Sequence, residues 1–293
     1  MKISVIIPVY NAEKFVEAAV LSALAQPETD EVILIEDAST DNSAVVCAQI
    51  SEKYDKVKLL KHPDGRNHGA GASRNLGIAH AANAYIAFLD ADDYYLSGRF
   101  TKTKEVFNRT PDADGVYGCL GIHFENAEAE SLWKSRFTHL HTRMQEVVLP
   151  AQLARAMSPL GTKGWFSIDT LTVKKHAVEK AGGFGNLPLS QDTEFLLKLA
   201  ITCRLYTAGN DVPIAVRRVH AANRITSGKE YFYRNRIQLW LNMIAWSEQN
   251  KAYKKWRPIF KRQYIKSVFI YVRYKKGWMA KCSFIGKSLL KIF

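Results

Sequence analysis

The chain has 293 residues, 47% hydrophobic and 24% charged, enough for one large or two small folded domains and unlike a disordered or fibrous chain. No apolar run reaches the ~18 residues a membrane span needs, and the start, MKISVIIPVYN, is too short for a signal peptide. The net charge of +13 is uneven: sixteen of the 41 Lys and Arg fall in residues 229–293 against two acids, Glu230 and Glu248, so the body is close to neutral and the tail strongly basic. The four cysteines lie far apart without zinc or redox spacing, as expected of reduced thiols in a cytoplasmic protein.

In chain order, Ile3–Val9 reads as a buried strand, and Asn11 is placed to cap a helix to about Ala25. A strand over Glu31–Glu36, a helix capped by Asp41 to about Tyr54, and a strand over Val57–Leu60 follow. Gly71–Ala82 reads as a helix and Tyr85–Leu89 as a fourth strand. Short β-branched runs between helical patterns predict an α/β fold, a mostly parallel sheet flanked by helices. Beyond it, strands are expected over Ala113–Ile122, Ile168–Val173 and Val212–Val219, and a helix capped by Ser190 over Gln191 to about Thr202. Residues 123–146 give no clear element. These patterns predict a compact domain over 1–225 and a helical tail over 226–293.

In such sheets ligands bind at the carboxyl ends of the strands. The residues to read are therefore Tyr10-Asn11, Glu36-Asp37, the loop 62–71 and Asp90–Asp93. Asp90 and Asp92 form an Asp-x-Asp that could hold a hard divalent cation, or could be a solvated acidic turn. Asp37 could accept from a nucleobase N–H or a ribose hydroxyl, or could start a turn before the next helix. "GAGASRNLG" at 69–77 lacks a third glycine and does not follow the first strand, which rejects a dinucleotide fingerprint. Arg74 in that segment suits an anion such as a diphosphate, or a nearby aspartate. Asp192 and Glu194 suit the first turn of a helix for dipole reasons alone; Asp192 could also be a general base. In "RRVHAANR", His220 could ligate a metal or contact its diphosphate, with Arg217 and Arg218 beside it, or these residues could be structural.

Taken together, "SVIIPVYN" (4–11), "VILIEDASTDNS" (32–43), "GAGASRNLGI" (69–78), "YIAFLDADD" (85–93), "GGF" (182–184) and "QDTEFLLKL" (191–199) resemble the family 2 glycosyltransferases of the GT-A (Rossmann-like) fold. The resemblance implies that Pro8, Tyr10 and Asp37 line a nucleobase pocket and that Arg74 lies near the diphosphate. It implies Asp90 and Asp92 as the donor-binding Asp-x-Asp, Asp92 ligating Mn²⁺ or Mg²⁺ with Asp93 beside it. His220 falls where members place a residue near the diphosphate, and Asp192 matches the catalytic base. Gln191 departs from the usual glutamate, and Glu36 from the usual aspartate. The implied activity is inverting, metal-dependent transfer from a nucleotide diphosphate-sugar, by resemblance a UDP-sugar, to a hydroxyl of a saccharide or lipid-linked acceptor in cell-surface polysaccharide or glycolipid synthesis. A nucleotidyltransferase would need a glycine-rich loop after the first strand, which "PVYNAEKF" lacks. A non-catalytic carbohydrate- or membrane-binding module is disfavoured by Asp92 and Asp192 occurring together. Trp133, Trp165 and Phe166 could stack on a sugar ring or be core.

In the tail, Tyr233, Ile237, Trp240, Leu241 and Ile244, then Tyr253, Trp256, Phe260, Tyr264, Val268 and Val272, then Ile285, Leu289 and Ile292 recur at helical spacing among basic residues. Such helices either pack on protein or lie on anionic lipid; the membrane reading is favoured, because a lipid-linked or cell-surface acceptor would put the work there. No nucleic-acid module accompanies the charge.

Overall fold

The computed structural model describes residues 1–220 and 229–276, so Cys282, Ile285, Leu289 and Ile292 lie outside the described residues. In chain order the elements are β1 (Ile3–Val9), α1 (Val16–Leu24), β2 (Thr29–Glu36), α2 (Ser43–Lys53), β3 (Val57–Lys61), α3 (Gly69–His80), β4 (Tyr85–Phe88), β5 (Tyr94–Tyr95), α4 (Thr101–Arg109), β6 (Gly115–Tyr117), β7 (Cys119–Phe124), α5 (Ala127–Lys134), α6 (Pro150–Ala156), β8 (Thr172–Lys174), α7 (Lys175–Ala181), α8 (Gln191–Thr202), β9 (Leu205–Thr207), β10 (Pro213–Val219), α9 (Lys229–Glu248) and α10 (Arg257–Lys276). They fall into two compact units, one of Met1–Asn186 with Phe195–Ala221, the other of Leu187–Glu194 with residues 222–293; the boundary falls inside α8.

The first unit is built on a seven-stranded sheet of order β3-β2-β1-β4-β8-β6-β9. β1, β2, β3 and β4 run parallel, as the alternating pattern predicted. β8 is antiparallel to β4 and β6, and β9 is parallel to β6. Every residue of β1 is buried, which is why its sequence is continuously apolar: a central parallel strand is covered on both faces. α3 crosses this sheet so closely that a Cβ on Gly77 would meet Ile6 Cγ2 at 2.6 Å and Ile35 Cδ1 at 2.9 Å. A second sheet, β5-β10-β7, pairs Tyr94 with Val216 and Tyr95 with Ala215. That pairing fastens the segment after the aspartate loop to the strand leading to His220.

Four expectations change. The cap position of α2 is Asn42, not Asp41, whose carboxylate accepts Ser43 N–H at 2.9 Å from one place earlier. Asn11 is not a helix cap: it sits in the left-handed region at φ 52°, and α1 starts only at Val16. The strand expected over Ala113–Ile122 is two strands in different sheets, broken at Gly118, where a Cβ would lie 2.5 Å from Ile214 Cδ1 of β10. The run from Ile168 begins as a 3₁₀ turn, Ile168–Thr170, and extends only from Thr172. Ser167 draws the turn in, its hydroxyl accepting from Asp169 N–H. Residues 123–146 contain α5, whose N-cap Asn126 accepts from Ala129 N–H at 2.9 Å.

In the second unit α9 and α10 pack together. Trp240 is fully buried and stacks with Phe260, their centroids 6.1 Å apart. Trp256, Phe260, Tyr264, Val268 and Val272 are buried in sequence. Among the described residues, Trp240, Ile244, Trp256, Phe260, Tyr264, Val268 and Val272 of the stripe are therefore protein interior. Leu187–Glu194 joins this unit through Asn242 Nδ2, which donates to Glu194 Oε2 at 3.0 Å. Among the described residues no helix is long and apolar enough to cross a membrane.

Candidate functional site

Because β1, β2 and β4 are parallel neighbours, the residues that follow them emerge at one sheet edge. Tyr10 is there, 38% exposed. Pro8 is one step inside, buried in β1 opposite Ile35. Asn11 and Glu36 tie the edge loops together: Asn11 Oδ1 accepts from Thr40 N–H at 2.8 Å, and Glu36 Oε1 from Ser39 N–H at 2.6 Å. Asp37 is buried, and its carboxylate accepts the N–H groups of His68 and Gly69, both at 2.8 Å. It anchors the loop into α3, where the rings of His62 and His68 lie 4.3 Å apart.

The aspartates divide into two directions. Asp90 pairs with the Arg74 guanidinium, and its N–H donates to Asp169 Oδ1 at 2.9 Å. Asp93 is buried and accepts Arg218 N–H at 2.9 Å. Asp169 is wholly buried and accepts the Ser167 hydroxyl at 2.7 Å. Carboxylate oxygens of Asp90, Asp93 and Asp169 lie within 4.8 Å of one another. Burial, then the Asp169 charge, pushes the Asp90 carboxyl up to about 6, against the pull of Arg74 and Arg217. The same burial and neighbours raise Asp93 well above the usual carboxylate range. Asp92 points elsewhere: its Oδ2 lies 3.2 Å from His220 Nε2. The His220 ring packs on Phe15 at 4.5 Å, and the Arg218 guanidinium sits between Phe15 and Tyr94, 5.2 and 5.3 Å from their centroids. Arg217 is half-buried, and its charge opposes the rise of both inward carboxyls.

Arg74 is buried over the Phe184 ring, with Nε and Nη1 carrying no hydrogen bond among the described residues. Orphaned guanidinium donors beside crowded carboxylates, with an imidazole opposite Asp92, make a set of hard oxygen donors plus one nitrogen. That set fits Mg²⁺ or Mn²⁺ together with a diphosphate. Asp192 lies in the first turn of α8, half-buried, accepting from Thr193 N–H at 2.7 Å; with Gln191 it belongs to the second unit.

Sequence reasoning missed Asp169 and Arg99. Asp169 lay inside an expected strand; the signal was one acid in the apolar run "FSIDTLTV". Arg99 is buried and donates from Nη2 to Asp169 O at 3.1 Å, stacked over Tyr95 and Phe100. Of the aromatics offered as sugar platforms, Phe166 is fully buried, stacked on Tyr117 at 4.2 Å, and Trp133 is buried and donates to His139 O at 3.0 Å. Both are core. Trp165 is half-buried beside Phe166.

Comparison with known proteins gives a consistent pattern. The family model described as "Glycosyl transferase family 2" matches residues 4–154. The succinoglycan biosynthesis protein ExoU of Rhizobium meliloti is 38% identical over 97 residues, 33% of this chain and 28% of that protein. The chain matches between 12% and 40% of the length of such curated relatives. Among solved structures, S. aureus TarS 1-349 in complex with UDP-GlcNAc aligns with TM-score 0.62 at 18% identity, covering 93% of this chain and 81% of that one. The mannosyltransferase PcManGT from Pyrobaculum calidifontis, in complex with GDP-Man and Mn²⁺, aligns with TM-score 0.56 at 16% identity, covering 100% and 81%. At these identities the two structures establish the fold, a mostly parallel α/β sheet of the GT-A kind.

Proposed function

The chain belongs to glycosyl transferase family 2, and from that premise we propose that it moves a sugar, with inversion, from a UDP-sugar to a hydroxyl of a saccharide or lipid-linked acceptor. One observation carries this reading: Asp92 paired with His220, beside Asp90 paired with Arg74, at the carboxyl edge of β1, β2 and β4. The UDP-GlcNAc in the TarS structure supports the carrier, and the Mn²⁺ in PcManGT supports the cation. The name of ExoU supports cell-surface polysaccharide synthesis. We propose that it works in the cytoplasm, with the basic second unit meeting an anionic membrane face.

Asp92 and His220 would hold the divalent cation, with Asp90, paired with Arg74 in this structure, turning to join them; when bound, the ion would supply positive charge to the leaving diphosphate. Arg74, paired with Asp90, adds positive charge beneath the same diphosphate. Tyr10 and the loop anchored by Asp37 bound the nucleobase, and Arg217 adds positive charge. Asp192 accepts the proton of the acceptor hydroxyl as that oxygen attacks the anomeric carbon. The new C–O bond forms as the bond to the diphosphate breaks, so one displacement inverts the centre. The Asp192→Asn protein should bind donor as the native protein does and transfer no sugar. Full transfer by that variant would remove Asp192 from the role.

A further inference from the structure

The second unit holds an exposed face that its sequence did not single out. With Trp240, Phe260, Tyr264, Val268 and Val272 buried, a different set of large side chains is left outside. Tyr231, Phe232, Ile265, Phe269, Ile270 and Tyr274 are each between 36% and 47% exposed. They are not scattered. Arg262, Lys266, Phe269 and Arg273 follow one another along α10 at steps of four, three and four, so they form one outward ridge, and all four are exposed. Ile265 flanks that ridge on one side, and Ile270 and Tyr274 on the other. The start of α9 lies against the end of α10: Tyr233 and Tyr274 rings are 5.2 Å apart, and Phe232 lies 6.0 Å from Tyr233. The exposed rings of α9 therefore sit at the same end of the helix pair as Tyr274.

The charge of this face has one sign. α10 carries seven Lys or Arg and no acid. The one acid at the shared end, Glu230, is already bound by Arg234 at 2.9 Å and Lys275 at 2.6 Å. Basic residues among outward Phe, Tyr and Ile suit a surface that is negative outside and apolar just beneath. Rings with an apolar body and a polar tip favour that boundary, and each Lys or Arg near it adds attraction. A nucleic acid would match the charge but not the aliphatic Ile265 and Ile270. We infer that the outward ridge Arg262–Lys266–Phe269–Arg273, with Tyr231, Phe232 and Tyr274, is the surface on which this protein docks to an anionic lipid bilayer. The inference rests on the membrane contact proposed above and not on the sugar-transfer chemistry.

The test is co-sedimentation of the full chain with vesicles of phosphatidylcholine, alone or mixed with phosphatidylglycerol, at low and high salt. The native protein should bind the mixed vesicles only, and less at high salt. Lys266→Gln with Arg273→Gln should weaken partitioning about 30-fold, from the attraction expected of two such residues. Both side chains are exposed, so folding should not change. Phe232→Ser with Tyr231→Ser should weaken it independently of salt. No binding of native protein to mixed vesicles would end both the inference and the membrane reading. Native binding that both double variants retain would end the inference alone, leaving another surface to meet the lipid. Loss of self-association in the variants, with vesicle binding unchanged, would overturn it in favour of a contact between copies. Transfer to a soluble acceptor, assayed without vesicles, should be the same in all three proteins.

Discussion

Asp169→Ala should destabilise the protein while Asp169→Asn should not. The carboxylate is wholly buried and accepts two hydrogen bonds, from Asp90 N–H at 2.9 Å and the Ser167 hydroxyl at 2.7 Å. A buried donor left without a partner costs about 1–3 kcal/mol, so two cost about 2–6 kcal/mol. The Ser167 hydroxyl can rotate to another acceptor, which brings the expectation to about 2–4 kcal/mol. Removing the charge works both ways: Asp169 is among the causes that raise Asp90 and Asp93, and its charge also supports the buried Arg99 guanidinium. Asparagine keeps a carbonyl for Asp90 N–H and can donate its amide to the Ser167 oxygen; the Ser167 hydroxyl proton then turns to another acceptor, and the repulsion is shed. Thermal and urea unfolding of the three full-length proteins, without added metal, reads the difference. The alanine variant should lose roughly 5–15 °C in Tm, and the asparagine variant should stay within about 1 kcal/mol of native or gain. Equal destabilisation by both would mean that the charge itself is required. An alanine variant as stable as native would mean that these hydrogen bonds do not hold the aspartate loop.

Other consequences follow from the first unit. Gly77→Ala should lose up to about 2 kcal/mol, because overpacking against Ile6 and Ile35 costs about 1–3 kcal/mol and outweighs the ~1 kcal/mol gained in helix propensity; a more stable variant in urea would refute the close crossing of α3. Burial alone would raise Glu31, but Lys58 at 2.6 Å, the Ser4 hydroxyl at 2.6 Å and Ala82 N–H at 2.7 Å together hold it below the usual carboxylate range. A depressed native pKa gives stability that is present above the unfolded value of ~4.3 and is lost as pH falls through the native value. The stability difference between native and Glu31→Gln protein should therefore be largest near neutrality and shrink below about pH 4; a difference that grows with acid would contradict this assignment.

How far each feature could be read from the sequence depended on what its signal depended on. β1 to β4 were legible because strands covered on both faces are written as continuous apolar runs. The break at Gly118 was not, because its cause is the approach of Ile214 from a distant strand. Asp92 and His220 could each be singled out, but their pairing spans 128 residues and is made by β10 pairing with β5. Asp37 was placed at the correct edge; that its carboxylate is turned onto His68 and Gly69 depends on the loop path, which has no periodicity. In the tail the period marked a covered face over the described helices. A stripe such as Phe260, Tyr264 and Val268 tells which face is covered, and only the packing tells that α9 covers it.

Calorimetric titration of the native and Asp92→Ala proteins with UDP, GDP and dTDP, each with and without Mn²⁺, tests the central claim most directly. One nucleoside diphosphate, expected to be UDP, should bind the native protein only with metal present, and the Asp92→Ala protein should not bind it. Binding of none of them, or metal-dependent binding that survives Asp92→Ala, would contradict the assignment of this sheet edge as the donor site.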